Sequence, residues 1–74
     1  MKNPFLIIME KEKYNYRELG ELLGTSKQVM FNIVNDINKP SCKVILNLLI
    51  LFPKYIKPLD LLIYYEYKEK LTKE

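Results

Sequence analysis

The chain contains no histidine, one cysteine and two glycines among its 74 residues. It therefore lacks the commonest general base and zinc ligand, and a single cysteine, Cys42, excludes an internal disulfide. Gly20 and Gly24 are too few for a glycine-rich loop that cradles phosphate. We expect no enzyme activity, no metal or cofactor site and no small-molecule ligand, and the cysteine content is typical of the reducing cytoplasm.

Long hydrophobic runs are also missing. The run Phe5–Met9 is too short for the core of a secretory signal peptide. A second run, Val44–Phe52, is interrupted by Asn47 and ends at Pro53, well short of a membrane span. The sequence therefore predicts no membrane partner and a cytoplasmic location.

Apolar residues make up 49% of the chain, which is enough for a small core in one domain spanning residues 1–74. The formal net charge is +3, and its excess lies in the middle of the chain. Residues 26–57 carry five lysines against one aspartate, a net charge of +4. A local basic excess is typical of a nucleic-acid-binding surface, and it is equally typical of a surface that is merely kept soluble.

Capping residues and apolar spacing predict an all-α chain with five helices, over about residues 4–13, 16–23, 26–35, 41–52 and 58–72. The predicted cap residues are Asn3, Asn15, Ser26 and Ser41. The apolar residues expected to face the core are Phe5, Leu6, Ile8, Met9, Leu19, Leu22, Leu23, Val29, Met30, Ile33, Val34, Leu59, Leu62 and Ile63.

The second and third predicted helices are joined by a very short turn. Gly24 suits a left-handed residue at the end of the second helix, Thr25 completes the turn, and Ser26 caps the third helix. Gly20, inside the second helix, costs roughly 1 kcal/mol against alanine. It indicates either close approach of the next helix or a position that tolerates any small residue. Two short helices joined in this way are typical of a helix-turn-helix.

The run from Asn15 to Ser26, continuing to Ile33, resembles the lambda-repressor/Cro-like family, also called the xenobiotic-response-element family. The step Lys39-Pro40-Ser41 is similar to the family's entry into its fourth helix, and the resemblance covers roughly residues 4 to 63. It implies a compact five-helix DNA-binding domain whose helices 2 and 3 form the helix-turn-helix. Gly20 replaces the usual alanine and Thr25 an apolar residue.

Two further departures lie near the expected DNA surface. Val34-Asn35-Asp36 replaces the family's frequent Glu-x-Gly, which predicts a turn of different shape after the third helix. Tyr16 stands where the family often has a glutamine that braces a phosphate and a reading side chain. A tyrosine hydroxyl reaches phosphate but cannot form the same two-sided amide bridge.

The exposed face of the third predicted helix carries no acidic residue. The resemblance implies that its base-reading residues are Lys27, Gln28, Phe31 and Asn32. Glutamine suits adenine, and lysine suits guanine or a nearby phosphate. For Phe31 two interpretations stay open: contact with a thymine methyl, or packing against helix 2 or the loop at Ile37. The residues expected to contact phosphates are Tyr16, Ser26, Asn35, Asn38, Lys39 and Lys43.

The fourth predicted helix is apolar nearly all round, so it is either central in the fold or partly covered by another subunit. Tyrosine suits interfaces because it combines large contact area with a polar tip. The candidates for a dimer interface are Ile50, Tyr55, Ile56, Tyr64 and Tyr65. The alternative is that these tyrosines cover a small core.

The capped helix-turn-helix and its acid-free face predict a sequence-specific DNA-binding transcriptional regulator. The resemblance implies a small Cro-like repressor of phage or mobile-element type that binds an operator in double-stranded DNA as a homodimer. The alternative is a protein-interaction module on the same fold, such as an antirepressor, an antitoxin or another mobile-element inhibitor. The departures at Tyr16, Phe31 and Val34–Asp36 and the apolar fourth helix favour that alternative.

Overall fold

A computed structural model of the chain describes residues 2–73, with the side chains of residues 2–66. Its five helices are α1 (Pro4–Glu12), α2 (Tyr16–Leu22), α3 (Lys27–Val34), α4 (Cys42–Leu51) and α5 (Pro58–Lys73). The described range contains no β-strand, so the all-α prediction is confirmed. Every helix begins and ends within one residue of its predicted position.

Side-chain caps explain why the first four helices begin where they do. The cap residues are Asn3, Asn15, Ser26 and Ser41, as predicted. At α2 the Glu18 amide donates to Asn15 Oδ1 at 2.8 Å, and the Asn15 amide donates to Glu18 Oε1 at 3.0 Å. This reciprocal pair is a complete capping box, which satisfies two backbone donors that would otherwise lack a partner. Local sequence therefore positions the start of α2.

The hydrophobic core draws on all five helices and on the linker between α4 and α5. Its buried members are Phe5, Ile8, Leu19, Leu23, Met30, Ile33, Val34, Val44, Leu48, Phe52, Ile56 and Leu61. Leu6 and Met9 of α1 pack against this core while staying partly exposed. The radius of gyration is 11.7 Å, close to the value of about 11 Å expected for a globular chain of this length.

Two apolar residues predicted to be buried in the α2–α3 region are exposed, namely Leu22 and Val29. Because α2 and α3 are short and pack chiefly on each other, each buries only a narrow stripe. Leu19 and the C-cap residue Leu23 form that stripe at α2, and Met30, Ile33 and Val34 form it on α3. Leu22 and Val29 lie at its flanks and face solvent.

The predicted inward stripe of α5 was wrong. Leu59 and Leu62 are 61% and 60% exposed, and Ile63 is exposed as well. The buried side chains are Leu61 and Tyr64, at 5% and 6%. The exposed residues and the buried residues both have helical spacing, so spacing alone does not distinguish them. The buried set includes Tyr64, whose hydroxyl contacts Asp36. Leu59, Leu62 and Ile63 thus form an outward surface, named here the α5 apolar face.

Helix α4 is neither central nor fully covered. Val44 and Leu48 enter the core, whereas Leu46 and Ile50 point outward, with Ile50 72% exposed. A groove of about 640 Å³ separates α4 from α5, and its lining includes Ile45 and Leu62. The half-buried flank of α4 at Ile45 therefore lies near Leu62 of the α5 apolar face.

Candidate nucleic-acid interface

Helices α2 and α3 approach each other closely at Gly20. A Cβ at this position would lie 2.9 Å from the Ser26 carbonyl oxygen, closer than side chains tolerate. The Thr25 amide also donates to the Gly20 carbonyl at 2.8 Å. Of the two interpretations of Gly20, close approach is therefore confirmed. Gly24 has φ +76°, the left-handed conformation expected at the end of the helix.

Helix α4 supports the α2–α3 turn from behind. The Asn47 side-chain amide donates to the Leu23 carbonyl at 3.0 Å, which satisfies an oxygen at the end of α2. A Cβ on Gly24 would lie 3.3 Å from Lys43 Cε, so the lysine stem crosses the turn. Asn47 was missed as a structural residue, although the signal was present: one amide interrupts an otherwise apolar run.

The outer face of α3 holds a pair of amide side chains. Gln28 Nε2 donates to Asn32 Oδ1 at 3.1 Å, a spacing of four residues on one face. Within the described chain, Gln28 Oε1 and Asn32 Nδ2 have no hydrogen-bond partner. Gln28 therefore keeps its Oε1 acceptor and the second N–H of Nε2, the combination that pairs with the adenine edge in the major groove. Lys27 is exposed on the preceding position.

Phe31 has a partner within the chain. Its ring packs edge-on against Tyr16 of α2, with centroids 5.3 Å apart and planes at 66°. Asn35 Nδ2 donates to the Phe31 carbonyl at 2.9 Å and reaches the Tyr16 hydroxyl at 3.4 Å. Phe31 nevertheless remains 40% exposed. The interpretation that packs it against helix 2 is confirmed for one side of the ring, and the other side is open to a partner.

Asp36 occupies the turn that follows α3. It has φ +61°, a left-handed conformation that glycine favours and aspartate tolerates. The Asn32 carbonyl then accepts from the Ile37 and Asn38 amides, at 2.8 and 3.2 Å. The segment Val34-Asn35-Asp36 therefore forms a tight turn with two backbone hydrogen bonds, in which Asp36 takes the left-handed conformation.

A polar network joins this turn to α1 and α5. The buried Asn3 side-chain amide donates to the Ile33 carbonyl at 2.9 Å and to Asp36 Oδ1 at 3.0 Å. The Tyr64 hydroxyl donates to both Asp36 carboxylate oxygens, at 2.9 and 2.8 Å. Burial, with the Asp36 carboxylate, raises the pKa of Tyr64 to about 12. Burial likewise raises the pKa of Tyr65, whose ring lies 5.0 Å from that of Tyr64.

The residues expected to contact phosphates lie on or near α2, α3 and α4. Ser26, Asn35, Asn38, Lys39 and Lys43 are exposed, and Tyr16 is half-buried. The Ser26 hydroxyl already accepts from the Val29 amide at 3.1 Å, because it caps α3. Lys27 and Lys43 place positive charge beside the turn, where it can approach a polyanion.

The dimer-interface candidates differ in burial and form three groups. Ile56 and Tyr64 are corrected here, because both are buried in the chain's own core, Ile56 at 2% exposure. Tyr65 is half-buried against that core, while Ile50 and Tyr55 are exposed. The α5 apolar face was missed because its residues were assigned to the core. Apolar spacing on α5 identifies two possible faces and does not say which one is covered.

Comparison with models of known protein families, with curated proteins and with solved structures found no significant match. Among the described residues, no three histidine, cysteine, aspartate or glutamate side chains are grouped so that they could hold a metal ion. None of the helices in the described part combines the length and apolar content needed to cross a bilayer.

Proposed function

We propose that this chain is a sequence-specific DNA-binding transcriptional regulator, a small Cro-like repressor that occupies an operator as a homodimer. Helices α2 and α3 act as a helix-turn-helix. The observation that carries the proposal is the outer face of α3, where an ordered Gln28–Asn32 amide pair sits on a capped helix without an acidic neighbour on that face. A glutamine or asparagine amide can pair bidentately with the adenine edge in the major groove.

In this arrangement α3 lies in the major groove with its N-terminal half against the bases. Gln28 and Asn32 read adenine, and Lys27 contacts guanine or the adjacent phosphate. Asn38, Lys39 and Lys43 contact the backbone beside the groove and fix the register of the protein on the duplex. The net charge of +4 over residues 26–57 supports this electrostatic contribution.

A single small module buries little DNA surface, so two copies on adjacent half-sites bind far more tightly. The α5 apolar face, whose three side chains are all exposed, supports a second copy of this chain as the occupant. Exposed apolar side chains clustered in this way are typical of a protein interface. A self-complementary surface on one helix suits a two-fold dimer.

DNA recognition is tested by fluorescence anisotropy with duplexes from the promoter region of its own gene, at two salt concentrations. We expect Gln28→Ala and Asn32→Ala each to weaken binding to the preferred duplex about tenfold or more, because a bidentate base contact is worth about 1–3 kcal/mol. Lys11→Ala, at an exposed position of α1 outside the basic segment 26–57, is the control. Equal, salt-sensitive binding of all variants to every duplex would contradict the proposal.

Dimerisation is tested by light-scattering mass of the free protein. We expect Leu62→Lys to shift the mass from dimer toward monomer, because it places a charge in an apolar interface. Ile37→Lys is a matched control, since Ile37 is 61% exposed and Leu62 60%. Identical masses for the two variants would remove the α5 apolar face as the dimer surface.

A protein-interaction module on the same fold is the second candidate. It is favoured by the amount of exposed apolar surface, which includes Leu22 and Val29 on the α2–α3 pair as well as the α5 apolar face. An isolated complex with one partner protein in fixed stoichiometry, combined with no DNA affinity at moderate salt, would support this function instead of the first.

A further inference from the structure

We propose that Phe31 reads the methyl group of a thymine, and that the operator half-site therefore places an A·T base pair beside the adenine contacted by Gln28. This inference rests on the proposed function and adds a base preference to it. It starts from the position of Phe31 on α3, three residues after Gln28 and next to Asn32.

The Phe31 ring is held in place before any DNA arrives. Tyr16 packs against it at a centroid distance of 5.3 Å, and Asn35 hydrogen-bonds the Phe31 carbonyl and reaches the Tyr16 hydroxyl. A side chain that is already ordered loses little conformational freedom when it makes a contact. Tyr16 and Asn35 are therefore positioning residues for the ring.

The exposed part of the ring can reach a base pair close to the one that Gln28 reads. Side chains three positions apart on a helix are about 5–6 Å apart at Cβ. Successive base pairs are about 3.4 Å apart, so the ring reaches a pair one or two steps from the adenine.

Only one base presents an apolar group in the major groove, and that is thymine with its C5 methyl. A phenyl ring against guanine or cytosine would cover polar atoms without replacing their hydrogen bonds to water, which is unfavourable. Phe31 is 40% exposed, so it has apolar area to offer, and it carries no polar atom that could serve another base. The ring therefore favours thymine and disfavours G·C pairs.

The test begins with the sequence preferred by the wild-type protein in a random duplex pool. Each thymine of that sequence is then replaced by deoxyuridine, which removes only the methyl group. We expect one position per half-site at which deoxyuridine weakens wild-type binding about fourfold, the effect of uncovering one methyl-sized group. Deoxyuridine at that position should leave the affinity of Phe31→Ala for DNA unchanged, because that variant has no ring that could contact the methyl group.

A second substitution separates the roles of the neighbouring residues. Tyr16→Phe keeps the aromatic support and should retain the deoxyuridine effect, whereas Tyr16→Ala should reduce it. 7-Deazaadenine, which removes the N7 acceptor, should weaken wild-type binding at an adjacent adenine and have no effect on Gln28→Ala. If Phe31→Ala is poorly folded by circular dichroism, Phe31→Leu replaces it. Its shorter side chain covers less of the methyl group, so the deoxyuridine effect should be smaller than in the wild type.

Sequence-specific binding in which no thymine methyl matters would overturn this inference and leave the proposed function intact. A preferred half-site made of G·C pairs would overturn this inference and the adenine contacts of Gln28 and Asn32, and would leave only sequence-specific binding. Binding with no sequence preference would overturn both.

Discussion

Helices α3 and α5 both carry apolar residues at helical spacing, yet only for α3 did the spacing identify most of the buried residues. On α3 the polar side chains of Lys27, Gln28 and Asn32 occupy the outer face and leave one arc for the core. The first two turns of α5 are apolar nearly all round, so two arcs were equally good candidates. A periodic pattern specifies a buried face only when the opposite face is polar.

A contact far away in sequence selected the buried arc of α5. Tyr64 donates its hydroxyl to the Asp36 carboxylate, and this places Leu61 in the core beside it. With Leu61 and Tyr64 facing the core, Leu59 and Leu62 point outward. The turn that ends α3 therefore orients α5, and α5 in turn presents the surface that we propose for dimerisation.

The largest expected effect tests the orientation of α5 directly. We expect Leu61→Ala to lower the free energy of unfolding by about 3 kcal/mol, because it opens a cavity in the core. Its neighbour Leu62→Ala should change that free energy by less than about 0.5 kcal/mol in the monomer. Urea denaturation followed by circular dichroism, at concentrations below dimer formation, measures both. A larger loss of unfolding free energy in Leu62→Ala than in Leu61→Ala would mean that Leu62 faces the core, as the sequence predicted.

The next effect concerns the contact between α5 and the turn. Tyr64→Phe removes the hydroxyl that donates to the Asp36 carboxylate and leaves the ring. We expect a loss of about 2 kcal/mol in unfolding free energy, because hydrogen bonds to charged groups contribute about 1.5–3 kcal/mol. Tyr55→Phe, at an exposed tyrosine, is the matched control and should be close to neutral.

The pKa of Tyr64 gives the same contact a pH dependence. The pKa is about 12 in the folded chain and 10.0 in an unperturbed tyrosine, so the unfolded state loses its proton first as pH rises. The stability contributed by the neutral hydroxyl is fully present below pH 10 and declines between about pH 10 and 12. The difference in unfolding temperature between wild type and Tyr64→Phe should therefore shrink over that range. A difference that stays constant would contradict the assigned role of the hydroxyl.

A smaller effect tests the close packing of α2 against the cap of α3. At an open helical site Gly→Ala stabilises by up to about 1 kcal/mol. At Gly20 the new Cβ would meet the Ser26 carbonyl oxygen at 2.9 Å, so we expect Gly20→Ala to destabilise by roughly 1 kcal/mol net. The measurement is the thermal unfolding temperature, which we expect to fall in Gly20→Ala. A rise would show that α2 and α3 move apart at little cost.

The smallest effect tests the local signal that positions α2. Asn15→Ala removes one half of the capping box and should cost between about 0.5 and 1 kcal/mol, since the site is exposed. Asn15→Ser keeps a capping oxygen and should restore most of the stability. Equal losses in the two variants would show that the cap contributes little to α2.

The sequence by itself determined the helices of this protein and the chemistry of its proposed reading face. Caps at Asn15 and Ser26, the left-handed Gly24 and the amides at Gln28 and Asn32 act over three or four residues, so they can be read along the chain. Gly20 belongs with them, because Ser26, the cap of the helix it approaches, lies only six residues further on.

The tertiary structure decided what depends on residues brought together from far apart. Asn47 meets Leu23 across 24 residues, and Tyr64 meets Asp36 across 28. The support of the Phe31 ring by Tyr16 and the exposure of the α5 apolar face were settled in the same way. The physical reason is that a helix with two apolar arcs has no local preference between them. The choice is made by whichever polar and apolar partners the rest of the fold supplies.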